Sequence, residues 1–383
     1  MTEPPEKGSL SENDAILMIA DSEANADLYY ATRFLVTVPV IYLEHRGKKV
    51  LLVNDLEYGR AGTEAQVDEI VSTTPYEDRL RSSGEQVRLT SILDLHLKER
   101  GVRGLMVPAG FQFAHAERLR ELGYSLRFRD DPFFLERTIK RPEELRAIEE
   151  TQRFTEEAMD LAVTILKKSE IRSSALHYRG KPLTADDIRI EIHKFLIERN
   201  CQASYTIVAG GDQGADPHGR GTGPLRAGET IIIDIFPRSL STRYWGDMTR
   251  TFVRGKASPE VRKLHKDVLD AQSLAFSLLK DGADGQKIHE QVIALFKERG
   301  NLNEEVHGKK TGFIHSTGHG LGLEIHEPPR IGRAESKLLA GQVVTVEPGL
   351  YYPGVGAVRL EDLVVITAGG CRNLNTFPKD IEL

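Results

Sequence analysis

One stretch restricts this chain more than any other: residues 315–327, reading H-S-T-G-H-G-L-G-L-E-I-H-E. It carries three of the chain's 12 histidines, His315, His319 and His326, and is laced with Gly318, Gly320 and Gly322 just after Gly312. Two histidines four apart share a face on a helix, as in the H-E-x-x-H zinc motif. A helix is disfavoured here, because each interior glycine costs about 1 kcal/mol relative to alanine. The alternation of Leu321, Leu323 and Ile325 instead predicts a strand whose close neighbours tolerate only glycine, ended by Pro328-Pro329. A lone buried histidine is usually a hydrogen-bonded core residue. Three so close together, beside bare backbone, point to a place where a ligand or metal comes near.

What these histidines do depends on the rest of the chain. At 383 residues it exceeds the usual size of a single core, which predicts two domains. A net charge of −6 gives no support for a nucleic-acid surface. Two cysteines, Cys201 and Cys371, offer neither a disulfide framework nor a cysteine-rich metal cluster, which suits a reducing compartment. The start, M-T-E-P-P-E-K-G-S, lacks the basic-then-apolar pattern of a signal peptide. No window approaches the roughly 18 uninterrupted apolar residues of a membrane span. The expectation is a soluble cytoplasmic protein with neither nucleic acid nor membrane as partner.

Residues 1–12 are polar and expected to be loosely attached. The run V-P-V-I-Y-L (38–43), a turn at 45–48 and V-L-L-V (50–53) read as a hairpin. Helices are expected near 54–62, 88–99 and 112–122, with strands at 67–72, 103–107 and 124–128. This is an α/β domain in which His45, His96 and His115 stand isolated, with no catalytic constellation. The boundary falls near Asp130-Asp131-Pro132, giving domains 1–135 and 136–383.

Beyond it, Pro142 opens a helix to about Lys168, with Glu143 and Glu144 suited to its first turn. Residues 171–185 read as a loop ending in the cap Thr184-Ala185-Asp186-Asp187, before a helix over 186–199. A strand over 204–211 leads to a loop with His218. Asp234 then lies inside the apolar strand T-I-I-I-D-I-F (230–236), where a carboxylate must be neutralised, hydrogen-bonded or bound to a cation. Asp247 follows in Y-W-G-D-M-T-R-T-F-V. Pairing of Asp234 with Arg250, and a turn role for Asp247, are the plain alternatives. After helices over 258–280 and 284–299, Glu347 ends an apolar run within the strand V-V-T-V-E-P-G-L-Y (343–351). Arg359 and Glu361 sit on one face of a last strand, 357–367.

Four carboxylates and a histidine thus fall at strand positions with apolar flanks. Two divalent cations would neutralise four negative charges. Oxygen ligands with one imidazole suit Mn²⁺, Co²⁺ or Zn²⁺ and differ from a closed structural zinc site. Two such ions sharing a hydroxide and polarising a carbonyl is the logic of two-metal hydrolysis.

The order Asp, Asp, His, Glu, Glu resembles the pita-bread metallopeptidases, and within them the Xaa-Pro aminopeptidase and prolidase branch. The matching segments are I-I-D-I (232–235), G-D-M-T-R-T-F (246–252), T-G-H-G-L-G-L-E-I-H-E (317–327), V-E-P-G-L-Y (346–351) and R-L-E-D (359–362). The resemblance implies an α+β protein: a C-terminal pita-bread domain behind a smaller creatinase-like α/β domain. It implies that Asp234 binds one metal, that Asp247 and Glu361 bridge two, and that His319 and Glu347 complete the second. Mn²⁺ is the foremost candidate. Glu347 would shuttle a proton, His326 would hold the scissile carbonyl, and His218 and His315 would contact the substrate. Arg359 would orient Glu361 and its neighbours. The implied substrates are peptides with proline in second position, and the implied assembly is a homodimer. A dipeptide-only prolidase and a non-catalytic peptide-binding module on the same fold are the alternatives. One departure is visible: the family separates its two aspartates by eleven positions, whereas Asp234 and Asp247 are thirteen apart. An even insertion lengthens a hairpin rim without turning either ligand out of its strand face.

Overall fold

The computed structural model describes residues 13–306 and 308–383, so the expectation for residues 1–12 lies outside the described residues. The chain divides into two units, Met1–Arg137 and Thr138–Leu383.

The first unit holds β1 (Asp14–Ala20), α1 (Ala26–Thr32), β2 (Val40–His45), β3 (Lys48–Val53), α2 (Asp55–Glu64), β4 (Glu69–Ser72), α3 (Thr74–Ser82), α4 (Leu89–Arg100), β5 (Gly104–Pro108), α5 (Phe113–Glu121) and β6 (Ser125–Arg129). The strands form one mixed sheet in the order β4-β3-β2-β1-β5-β6. The β2–β3 hairpin and the helices α2, α4 and α5 stand where periodicity predicts them. The sequence pattern does not announce β1, although it is an inner strand of the sheet. Its run A-I-L-M-I is buried on both faces, so it lacks the alternation that marks a half-exposed strand. The short helix α1, of seven residues, is likewise too brief to show a period.

In the second unit α6 (Pro142–Lys168) begins at Pro142, whose missing N–H is one the first turn leaves unpaired. The Glu144 side chain accepts the Arg141 backbone N–H at 2.9 Å. Residues 171–185, expected as a loop, hold a small antiparallel sheet of β7 (Glu170–Arg172), β8 (Ala175–Tyr178) and β9 (Lys181–Pro182). Its turns place Ser173, Ser174 and Arg179 at positive φ, where an Asn-Gly signal is customary, so the hairpins are silent in the sequence. Thr184 and Asp187 then cap α7 (Ala185–Glu198) reciprocally, each side chain accepting the other's N–H at 3.0 Å.

Next come β10 (Cys201–Ala203), β11 (Ile207–Gly210), β12 (Thr230–Ile235), β13 (Pro237–Ser239) and β14 (Met248–Val253). One sheet runs β11-β12-β14, while β13 pairs with β10. Ile188, Ile192 and Met159 of the two helices pack on Ile231, Ile233 and Phe252, all fully or nearly buried. A second half repeats the scheme. It comprises α8 (Pro259–Leu278), α9 (Gly285–Glu298), the short pair β15 (Glu305–Val306) and β16 (Lys309–Lys310), then β17 (Gly318–Gly320), β18 (Glu327–Ile331), β19 (Val343–Val346), β20 (Gly349–Tyr352), β21 (Gly356–Arg359), β22 (Asp362–Ile366) and β23 (Cys371–Asn373). Val268, Val292 and Phe296 cover Val344, Val346 and Val364 of the sheet β18-β17-β19-β22-β23.

Three expectations are corrected. The strand through Leu321, Leu323 and Ile325 ends at Gly320, and residues 321–326 bend away as a loop. Pro328 and Pro329 lie inside β18, which tolerates proline because it is an edge strand. The runs 343–351 and 357–367 each break, at Glu347-Pro348 and at Leu360-Glu361, because the chain leaves the five-stranded sheet there for the β20–β21 ribbon. Glu361 N–H to Thr249 O at 3.0 Å and Arg359 N–H to Thr251 Oγ1 at 3.0 Å stitch the two halves together behind these breaks.

Candidate active site

The strand ends and breaks open onto one cavity of about 880 Å³. Asp234, Asp247, His319, Glu347 and Glu361 line it, together with His218, His315, His326 and Arg359, so every sequence-derived candidate reaches the same space. Asp234 faces inward from β12, where a strand paired on both sides fixes its direction. Asp247 precedes β14, anchored by its N–H to Gln152 Oε1 at 2.8 Å and by its carbonyl, which accepts from Gln152 Nε2 at 3.0 Å. Glu347 and Glu361 occupy the two breaks, where a side chain can point between sheets.

Polar contacts hold these groups in register. Arg359 donates to Asp234 Oδ2 at 2.7 Å, which replaces the alternative pairing with Arg250. Arg250 binds Asp362 instead, at 2.7 Å, in a pair buried behind the site. Arg359 reaches Glu361 through Thr249: its Nε donates to Thr249 Oγ1 at 3.1 Å, and that hydroxyl donates to Glu361 Oε2 at 2.6 Å. Arg359 Nη1 also donates to Tyr351 Oη at 2.9 Å and to Pro217 O at 3.3 Å, which ties down the loop carrying His218.

His315 Nδ1 lies 2.8 Å from Ser316 O and therefore carries the proton. Its Nε2 accepts from Tyr351 Oη at 2.9 Å. Burial, reinforced by Arg359, lowers His315 to about 3, so the ring is neutral. His319 repeats this arrangement. Its Nδ1 donates to Gly320 O at 3.1 Å, and burial holds its pKa near 3. The lone pair of Nε2 then faces Glu347 Oε1 at 3.5 Å and Asp247 Oδ2 at 3.8 Å.

That arrangement is one of acceptors facing acceptors. Asp247, His319 and Glu361 each bring a ligand atom within 4.8 Å of the others. Burial and then the neighbouring carboxylates push the Asp247 and Glu361 carboxyls well above the usual range; burial raises Glu347 to about 7. Asp234 Oδ1 is buried with no hydrogen-bond partner among the described residues. Such a donor set fits divalent cations, which would satisfy the orphaned oxygen and relieve the crowding.

The glycines answer to close neighbours, as the strand reading expected, and those neighbours belong to the chain itself. A Cβ on Gly318 would meet Thr345 O at 1.9 Å, and one on Gly320 would meet Pro328 O at 2.4 Å. The close neighbour is the protein's own backbone. Contributors that the sequence did not mark include Thr249, Tyr351, Trp245 and Arg330. Thr249 alone had a signal, since it shares a strand face with Asp247 by alternation. Arg330 lines the cavity, where its charge acts on Glu347, and among the described residues its guanidinium makes no salt bridge to a carboxylate.

Against known proteins, residues 146–368 match metallopeptidase family M24. The chain is 32% identical over 247 residues to an Xaa-Pro dipeptidase of Pyrococcus furiosus; the match covers 64% of this chain and 65% of that relative, slightly under two thirds of its length. An Xaa-Pro dipeptidase of Pyrococcus horikoshii is 28% identical over 288 residues, covering 73% of this chain and 75% of the relative. Among solved structures, the X-Pro aminopeptidase of Thermotoga maritima superposes with a TM-score of 0.80 at 24% identity, covering 97% of both chains. The prolidase of Pyrococcus furiosus gives 0.76 at 24% identity, covering 95% of this chain and 97% of that one. These likenesses identify the pita-bread fold.

Proposed function

This chain belongs to metallopeptidase family M24, and we propose that it is a metal-dependent exopeptidase hydrolysing the bond between an N-terminal residue and proline. The observation that carries this reading is the convergence of Asp234, Asp247, His319, Glu347 and Glu361 on one cavity that also presents His218, His315 and His326. The Pyrococcus relatives, both Xaa-Pro dipeptidases, support it.

Asp234 would hold one divalent ion, Asp247 and Glu361 both ions, and His319 with Glu347 the second; Mn²⁺ is our first choice, with Co²⁺ or Zn²⁺ as alternatives. Bound there, the ions supply Lewis acidity and a water deprotonated near neutral pH. The chain's own groups do the rest. Glu347 accepts a proton on its carboxylate and returns it to the departing proline nitrogen. His326, on the rim beside His319 with ring centres 4.4 Å apart, donates to the carbonyl oxygen as charge builds there. His315, fixed between Ser316 and Tyr351, forms a wall for the proline ring, and His218 bears on the substrate from its tethered loop. Proline offers no N–H at the cleaved bond, so recognition has to come from shape and from such neutral rings.

Arg330 favours a second reading, a dipeptidase. A cation at the cavity edge that makes no salt bridge to a carboxylate among the described residues suits the free C-terminus of a two-residue substrate. We also propose a cytoplasmic homodimer, on the family pattern and on the free state of Cys201 and Cys371. The test is the metal content of purified protein, with turnover of Ala-Pro and Ala-Pro-Ala in added Mn²⁺. Cleavage of both supports the aminopeptidase, and cleavage of the dipeptide alone supports the dipeptidase. No metal and no turnover would overturn both readings.

A further inference from the structure

His326 sits at the end of the loop 321–326, which leaves β17 and re-enters at β18. The loop is held from outside itself. Trp245, the chain's single tryptophan, donates its backbone N–H to Gly322 O at 3.1 Å and its indole Nε1–H to Leu323 O at 3.1 Å. At the loop's far end Glu327 is locked to Lys140 by a buried ion pair of 2.5 Å. His326 lies between these two anchors.

Trp245 is itself well supported. It stands on the excursion 236–247 between β12 and β14, bridged to Arg238, whose guanidinium lies 5.7 Å over the indole and donates to Gln202 Oε1 at 2.8 Å. The β13–β10 pairing holds that excursion to the body of the unit. Its first residue, Phe236, lines the cavity, so one segment shapes the wall and fixes the loop. Phenylalanine at position 245 would keep the backbone N–H to Gly322 O but lose the donor to Leu323 O, and that second bond calls for an indole.

We propose that Trp245 is a positioning residue: its two N–H groups fix the 321–326 loop and so set where the His326 ring stands over the cavity. The catalytic consequence rests on the reading of His326 as the carbonyl's partner; the mechanical one does not.

The experiment compares metal-loaded wild type, Trp245→Phe, His326→Ala and the double variant. Hydrogen exchange followed by mass spectrometry should show the 321–326 segment exchanging about fivefold faster or more in Trp245→Phe, with the sheets unchanged. Unchanged exchange would overturn the proposal whatever the substrate is. Deleting Leu240 and Ser241 draws the excursion back while keeping the indole, and should loosen the same segment. On Xaa-Pro peptides, Trp245→Phe should lower kcat by about tenfold to a hundredfold with KM nearly constant. In the His326→Ala background the same change should cost less than about twofold. Additive losses in the double variant would overturn action through His326. A wild type inert toward Xaa-Pro peptides would sink the proposed function, and the exchange comparison would still decide on Trp245.

Discussion

Arg359 is the residue on which the site turns. One buried guanidinium is bonded to Asp234, Thr249, Tyr351 and Pro217. Through Thr249 it orders Glu361, and through Tyr351 it orders His315. Replacing Thr249 by valine removes that relay with little change in shape. Metal affinity should fall about 10–100-fold, as for other outer partners of ligands, measurable by calorimetric titration. His319→Ala and Glu347→Gln should each lower kcat/KM by about a thousandfold or more. Circular dichroism spectra like the wild type's would show that the loss is chemical, and surviving turnover would refute the roles given to these two. Arg330→Ala separates the two substrate readings. It should raise KM for Ala-Pro about tenfold, the worth of a charge-assisted hydrogen bond, and leave Ala-Pro-Ala nearly unchanged. Equal effects on both peptides would deny Arg330 a role in reading the carboxylate.

Among the elements, helices and inner strands were legible, and the joins between them were not. The strand carrying Asp234 and the long helix from Pro142 follow from local pattern and from proline's fixed geometry. The breaks at Glu347-Pro348 and Leu360-Glu361 did not, because strand-forming apolar residues resume beyond each break while their hydrogen-bond partners change from one sheet to another. Pro328-Pro329 misled in the opposite sense, since proline stops a strand only where a ladder partner needs its N–H. Lys140–Glu327 shows what a join can carry: both side chains are 1% exposed, and they bind the start of the second unit to the end of the histidine loop. Lys140→Met should destabilise the protein by about 3–5 kcal/mol, read from urea unfolding, because it removes the cation buried against the Glu327 carboxylate. Lys140→Met with Glu327→Leu should recover most of that loss. A single variant as stable as the wild type would show the pair to be unimportant.

At the scale of the molecule, the cavity of the second unit gathers four carboxylates, Asp234, Asp247, Glu347 and Glu361, against the two cations Arg330 and Arg359. The Asp247 and Glu361 carboxyls stand well above the usual range and Glu347 near 7, all raised first by burial. A carboxyl raised on folding stabilises the fold where both states are protonated and loses that contribution as pH climbs from its unfolded value, about 4, through its folded one. Protein stripped of metal by a chelator should therefore lose several degrees of Tm between pH 5 and about 7.5, and added Mn²⁺ should restore most at the upper end. A metal-free Tm that rose over this window would contradict the crowding of charge. The sequence by itself determined the residue types and the inward facing of Asp234, because strand periodicity and apolar flanks are local properties of the chain. Only the tertiary structure decided that Arg359 and not Arg250 meets Asp234, that Gly318 and Gly320 yield to backbone, and that Trp245 grips the loop bearing His326. Those facts depend on which distant segments are brought into contact, and no local period records that.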